Sequence, residues 1–440
     1  MSHSKQNRNP LVGFLFENSI FLIAGTVLAL LWANIDNHSY QRFVHFDVQR
    51  LVMGDQSAEA THETGEGEGH SSHGWTIHLL VNDLLMALFF AIAGKEVWES
   101  FLPNGALSNP RKAATPLLAT LGGIVGPAVL YVGGAAMTGN LDQLGRGWAV
   151  PCATDIAFSY LVARLVFGVG HPAIAFLLLL AIADDAAGLV ILAVAYPQKA
   201  IEPSWFLLTA GAVGLAFAFR KKGLHSFWWY LLLPGVMSWF SFYKAGIHAA
   251  LGLVPIIPAM PHAFTDVGIF AKREMGRHDT LNEFEHWWKN PVELILGLFG
   301  LTNAGVVMSS VGTGTYLVLI GLVVGKPLGI TLFTWIAEKG FKLEIPSGMN
   351  YRHIVTLGSV AGIGFTVALF VSEAAFPAGA FPDALRDAVK MGALGSFFAG
   401  AVGFAIGRAL GIRPARLDDA ADATDGDAGA GEPALAVSTN

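Results

Sequence analysis

The sequence predicts an all-α integral membrane protein of about twelve transmembrane helices, with inverted repeats and two discontinuous spans, the fourth and the eleventh. Three observations predict it. Only 14% of the 440 residues are charged while 53% are hydrophobic, and the mean hydropathy is +0.52, whereas soluble domains hold roughly 25% charged residues. Mostly apolar windows of about 20 residues, the length that crosses a hydrocarbon core of roughly 30 Å, recur about twelve times. No alternating strand pattern accompanies them, and only helices or closed barrels satisfy every backbone group in lipid.

In chain order, residues 1–10 are a polar cytoplasmic leader, and residues 11–410 form a single twelve-span domain. The windows centre near Ile23, Leu88, Ile124, Tyr160, Ala183, Val213, Met237, Leu253, Leu298, Leu322, Gly364 and Phe398. The first, "FLFENSIFLIAGTVLALLWAN", exceeds a signal-peptide core and lacks a small-residue cleavage site, so it is expected to be retained. A long outside loop follows at about 35–74. Its opening, "YQRFVHFDVQRLVMG", reads as a short alternating strand, and its acidic, glycine-rich remainder as a solvated segment carrying His62, His70, His73 and His78. A cytoplasmic loop at about 259–290 ends in an amphipathic helix, with Trp287 and Trp288 at the membrane boundary. Residues 411–440 have the composition of a disordered acidic cytoplasmic tail.

Orientation follows from the basic residues. With the amino terminus inside, most of the 27 Lys and Arg fall in inside segments, and Arg42, Arg50, Arg146, Lys199, Lys244, Arg386 and Lys390 in outside ones. The positive-inside bias places both termini in the cytoplasm. The single cysteine, Cys152, excludes an internal disulfide. The net charge of −6 resides largely in the outside loop and the tail. No cofactor and no nucleic-acid partner is expected.

Two spans differ from the rest. The fourth, "AVPCATDIAFSYLV", has a proline near its start and Asp155 inside it; the eleventh, "GSVAGIGFTVALF", carries Gly358, Gly362 and Gly364. Glycine costs a helix about 1 kcal/mol relative to alanine and leaves the backbone free to unwind. One interrupted span in each half points to an inverted repeat whose binding site lies where the breaks meet. Spans three to five then pair with spans ten to twelve.

The buried charges are the chemical signal. Asp155, Asp184, Asp185 and Lys326 all fall within apolar windows, at roughly 2.5–3.5 kcal/mol each on insertion scales. One ion pair accounts for a single aspartate with Lys326 and leaves two carboxylates without partners. Neighbours on a helix point about 100° apart, so one of Asp184 and Asp185 can meet Asp155 and the other Lys326. Two carboxylates in a partly desolvated cavity hold either a proton or a small hard cation. Thr154 and freed carbonyls add oxygen ligands, and no histidine or cysteine set suits a soft metal. Competition between protons and a monovalent cation is the coupling step of a cation/proton exchanger.

The strings "VNDLLMALFFAIAGKEV", "PCATDIAF", "LAIADDAAG", "LTNAGV", "VGKPLGI" and "VAGIGFT", in this order along the chain, resemble the bacterial NhaA-type sodium/proton antiporters over about residues 10–410. The resemblance implies that Asp185, with Asp155 and Thr154, holds Na+, and that Asp184 pairs with Lys326. It implies electrogenic exchange of sodium or lithium for protons across a bacterial inner membrane. It also implies a pH response at Glu96, Glu285, His286 and His248, with Asp83 an accessory carboxylate. Here "GKEVWES" departs from the family's pattern: Lys95 is gained, Trp98 and Ser100 replace charged residues, and Lys289 stands where a histidine is usual. The family's dimer contact lies between the first two spans, where this loop differs, so a homodimer is a weaker expectation.

Two other functions compete. A sodium-coupled organic-anion carrier of similar architecture would need a wider cavity and a clamp, for which Asn303 and Lys326 are the candidates. An intramembrane aspartyl protease would leave the aspartate doublet, Lys326 and the broken eleventh span without a role.

Overall fold

The computed structural model describes residues 19–48, 75–103, 105–262 and 279–414. The leader, the loop histidines His62, His70 and His73, and the tail from residue 415 lie outside the described residues. Within them the chain is all-helical. Six helices are long and apolar enough to cross a membrane, and two bent pairs raise the number to eight.

The elements run as follows: α1 Ile20–Ile35, α2 Asn37–Val44, α3 Ile77–Phe101 and α4 Pro110–Met137. A helical turn Leu141–Cys152 then meets α5 Ile156–Phe167 at 55°. Next come α6 Pro172–Ala195, α7 Pro203–Lys221, α8 Val236–Ala245 and α9 Thr280–Asn303. The carboxyl half holds α10 Thr313–Phe341, then α11 Tyr351–Ala361 bent by 53° into α12 Phe365–Ala375, and finally α13 Asp383–Ala409.

Three findings differ from the sequence reading. Of the segment expected as a strand, residues 40–54, the first five form the end of helix α2, and residues 49–54 lie outside the described residues. Asp36 caps the helix by accepting from the Ser39 amide, and Tyr40 and Val44, four residues apart, share its buried face. The period is helical, and Tyr40 Oη anchors it by donating to the Leu301 carbonyl at 3.0 Å. The window at Leu253 is a pair of 3-10 turns within Ala249–Ala259, which at about 2.0 Å per residue is shorter than a bilayer core. α1, at 16 residues, is shorter than a full span, and α9 carries Glu283, Glu285, Lys289 and Glu293.

Small residues bring the helices together. A Cβ on Gly25 of α1 would strike the Gly297 carbonyl of α9, and one on Gly329 of α10 would strike the Gly122 carbonyl of α4. Without a hydrophobic drive inside lipid, backbone contact of this kind is what packs spans. α4 and α10 pack along their lengths, and together they flank the two bends.

The bends meet. The Asp155 amide donates to the Ile363 carbonyl at 2.7 Å, and a Cβ on Gly364 would come within 2.8 Å of the Ala153 carbonyl. The break before α5 thus supplies a donor to a carbonyl that the break before α12 leaves free. Pro151 closes the turn before one break; Gly362 and Gly364 flank the other.

Candidate functional site

Asp155 is the N-cap of α5. Its Oδ1 accepts from the Phe158 amide at 3.3 Å, and its Oδ2 accepts from the Thr366 hydroxyl at 2.5 Å and amide at 3.2 Å. A carboxylate here faces the amino-terminal ends of α5 and α12, the positive ends of both helix dipoles. Thr366 was not singled out from the sequence. It closes the quoted string "VAGIGFT", and a hydroxyl directly after a glycine break was the available signal.

Asp184 and Lys326 are the second unit. Lys326 is wholly buried; its Nζ lies 3.0 Å from Asp184 Oδ2 and donates to the Cys152 carbonyl at 2.5 Å. A π-helical stretch, Gly321–Gly325, ends immediately before it, and Pro327 follows, removing an amide the regular ladder would need. The Cys152 carbonyl is one that the break at residue 153 leaves without a helical donor. Thr154 Oγ1 donates to Asp184 Oδ2 at 2.7 Å, so the hydroxyl serves Asp184 here rather than Asp155 or Asp185.

Asp185 differs from both. It is half-buried and, among the described residues, has no hydrogen-bond or ion-pair partner. It borders a cavity of about 10 Å³ with Phe89, Phe90, Leu189 and Val367. Asp184, Glu96 and Asp155 lie within electrostatic reach of it. Among the described residues no group of three or more His, Cys, Asp or Glu side chains is arranged to hold a metal.

The four pH-response candidates do not form one cluster. Lys95, buried on α3, pairs with Glu285 at 2.5 Å and Glu99 at 2.6 Å. Glu96 adjoins this network along the chain, and His286 is exposed. His248 lies apart from it: Nδ1 is 3.3 Å from Asp83 Oδ1, and its ring packs 4.7 Å from that of Phe370. Asn303 is committed, donating to the Asn82 and Phe299 carbonyl oxygens.

A third charged cluster escaped the sequence reading. His78 belongs to α3 rather than to a solvated loop, and Lys390 and Arg386 are buried on α13 rather than lying in an outside segment. Lys390 pairs with Glu373 at 2.5 Å and Arg386 with Asp383 at 3.1 Å. Such pairing is what permits burial of long cations. In the sequence these charges sit beside helix ends and read as loop charges.

Residues 16–406 match the family described as Na+/H+ antiporter 1. The chain belongs to this family. Similar relatives include the Na(+)/H(+) antiporter NhaA of Jannaschia sp. (strain CCS1), 50% identical over 90% of this chain and 96% of the relative. The proteins of the same name from Desulfitobacterium hafniense (strain DSM 10664 / DCB-2) and Geobacter sulfurreducens are each 44% identical over 91% of this chain, covering 96% and 98% of their own lengths. The family read from six short strings therefore extends over nearly the whole antiporter domain.

Proposed function

We propose that this chain is an electrogenic antiporter, not an enzyme, that exchanges cytoplasmic sodium or lithium for external protons by competition at buried aspartates. Asp185 and Asp155 take the ion or the protons. Asp184, already balanced by Lys326 and Thr154, holds the two bends in register. The carrying observation is the contrast within one doublet: Asp184 has a lysine at 3.0 Å, while its neighbour Asp185 has no such partner among the described residues. A carboxylate in apolar surroundings without a cation must be neutralised by a proton or by an ion that visits. Each alternative excludes the other, which couples the two fluxes.

The finer reading goes with it. The twelve windows and the similar bends of 55° and 53° support a twelve-span inverted repeat, with α4, α5 and α6 matched to α10, the α11–α12 pair and α13. The positive-inside bias supports both termini in the cytoplasm of an inner-membrane protein. The Lys95–Glu285 network lies at the cytoplasmic end of α3, where it and Glu96 would adjust the response to internal pH. A second copy of the chain is a partner in this reading.

The organic-anion alternative has less support. Asn303 is already bonded on both sides, Lys326 is satisfied, and the cavity at Asp185 is about 10 Å³, less than an organic solute occupies.

Inverted vesicles test the proposal. Adding sodium should collapse a preformed proton gradient, and potassium should not. No sodium-dependent proton movement at any pH would overturn it.

A further inference from the structure

The cluster around Glu373 has no part in the exchange site, and its geometry contains a choice. His78 Nε2 lies 2.9 Å from Asn82 Nδ2 and 3.3 Å from Glu373 Oε1. The first neighbour is a donor and the second an acceptor. The amide orientations are set by their own bonds. Asn303 Nδ2 donates to the Phe299 carbonyl at 3.0 Å, which presents its Oδ1 to Asn82 Nδ2, also at 3.0 Å. Asn82 therefore offers its second N–H to His78. The neutral tautomer with its hydrogen on Nδ1 accepts that bond on Nε2 and turns the same lone pair on the Glu373 carboxylate. A protonated imidazole donates to Glu373 and confronts the Asn82 N–H. One nitrogen cannot satisfy both.

The two partners belong to different bodies. Through Asn82, His78 is tied to Asn303 and α9. Through Glu373 it is tied to α12, the second half of the broken span. Thr366, which holds Asp155, lies seven residues before Glu373 on α12. Seven residues are close to two turns, so both face nearly the same way. Lys390 grips the other Glu373 oxygen at 2.5 Å. The neighbouring cavity is about 20 Å³, about the room one water needs, and its charges pair with one another, so a solute site is a poor reading.

We infer that His78, Glu373 and Lys390 form a proton-operated latch on the external end of α12: protonated His78 holds α12 against α3, and neutral His78 releases it to Asn82 and α9. The functional consequence rests on the antiporter reading, because α12 must shift for Asp155 to face outward. The latch lies at the end of α3 opposite Lys95, 17 residues away, roughly 25 Å along a helix. It therefore answers to the external solution and not to the internal one.

Other groups that act on His78 are accounted for. Glu373 faces it from α12, and Lys390, Arg386 and Asp387 from α13. Tyr40 and His45 approach from α2 and the turn after it, His45 with its ring 6.1 Å away. Burial holds His45 below its usual range. His248, which lies within electrostatic reach of His78, is engaged with Asp83, five residues along α3. The π-helical stretch Leu80–Leu85, which contains Asn82, begins two residues after His78; such bulges are frequent at functional sites.

The test uses the full chain, wild type with H78Q (never charged) and H78K (charged throughout). In nanodiscs, hydrogen exchange of residues 77–82 and 370–376, corrected for intrinsic rates, is followed from about pH 8.5 to about pH 6. Wild-type protection should rise several-fold on acidification, staying low in H78Q and high in H78K. Parallel profiles in all three overturn the latch. The same proteins in liposomes, with internal pH clamped, give the second readout. H78Q should exceed wild type in sodium-driven proton flux at acidic external pH and equal it at alkaline pH. A pH-independent ratio also overturns the latch. Absence of flux in wild type would instead remove the antiporter reading, and hydrogen exchange would still judge the latch.

Discussion

Lys326 Nζ stands 3.0 Å from Asp184 Oδ2 and 2.5 Å from the Cys152 carbonyl oxygen, with no solvent exposure. One ammonium thus neutralises a carboxylate on α6 and satisfies a carbonyl freed by the break before α5. Breaking a buried pair by removing one partner costs about 3–5 kcal/mol, because the other charge is stranded. Lys326→Ala should therefore lower the melting temperature markedly. Asp185→Asn, which removes no pair, should cost about 1 kcal/mol or less. Thermal denaturation in detergent measures both, and equal melting temperatures would contradict a structural role for the Lys326–Asp184 contact.

Thr366 donates twice to Asp155, from its hydroxyl and its amide. Thr366→Val keeps the shape and the amide but deletes the hydroxyl, leaving a buried carboxylate oxygen short of a donor at a cost of about 1–3 kcal/mol. Thr366→Ser restores it. Apparent sodium affinity in vesicles should shift for the valine variant and return for the serine variant. Identical affinities in all three would show that this hydroxyl does not tune Asp155.

The α4–α10 contact predicts a steric outcome. A Cβ on Gly329 meets the Gly122 carbonyl, while one on Gly211 meets open space. Gly329→Ala should force the two helices apart and lower the yield of monodisperse protein. Gly211→Ala should leave it unchanged or improved, since alanine is the better helix former. Size-exclusion profiles read both. Equal behaviour would mean that the helices do not approach this closely.

Acid should weaken the fold through His171. Burial, and secondarily the charge of His353, hold its imidazole below the usual 6.5. The unfolded chain then binds more protons than the folded one between the two values, so stability rises with pH there. The contribution is present above about pH 6.5 and is lost as pH falls through the folded value. His171 also caps α6 by accepting from the Ala173 amide at 3.1 Å, and asparagine can do the same. Between about pH 7.5 and pH 5.5 the melting temperature of His171→Asn should fall less steeply than that of wild type. Parallel slopes would remove His171 from the acid response.

Local backbone chemistry made part of this legible in the sequence. Pro151 and the glycines of "VAGIGFT" announce breaks because each acts on its own peptide units, and aspartates in apolar runs announce a site because lipid cannot solvate them. What stayed hidden depends on tertiary partners. Nothing next to Thr366 says that its hydroxyl reaches Asp155 on another span. Lys390 and Arg386 look like loop charges until Glu373 and Asp383 are seen against them. His78 follows a glycine-rich acidic stretch, and its place on α3 appears only when Asn82 and Glu373 flank it. The stretch from Tyr40 alternates well enough to pass for a strand, yet residues 40–44 are helical, as the cap at Asp36 and the reach of Tyr40 to α9 decide.

The competition at the aspartates is tested most directly on the purified full-length protein in weakly buffered solution. Pulses of sodium chloride are added while released protons are recorded against potassium chloride as control. Sodium should expel protons over a middle pH range, with less expelled from Asp155→Asn or Asp185→Asn. No sodium-specific release at any pH would contradict a site that holds either a proton or a sodium ion.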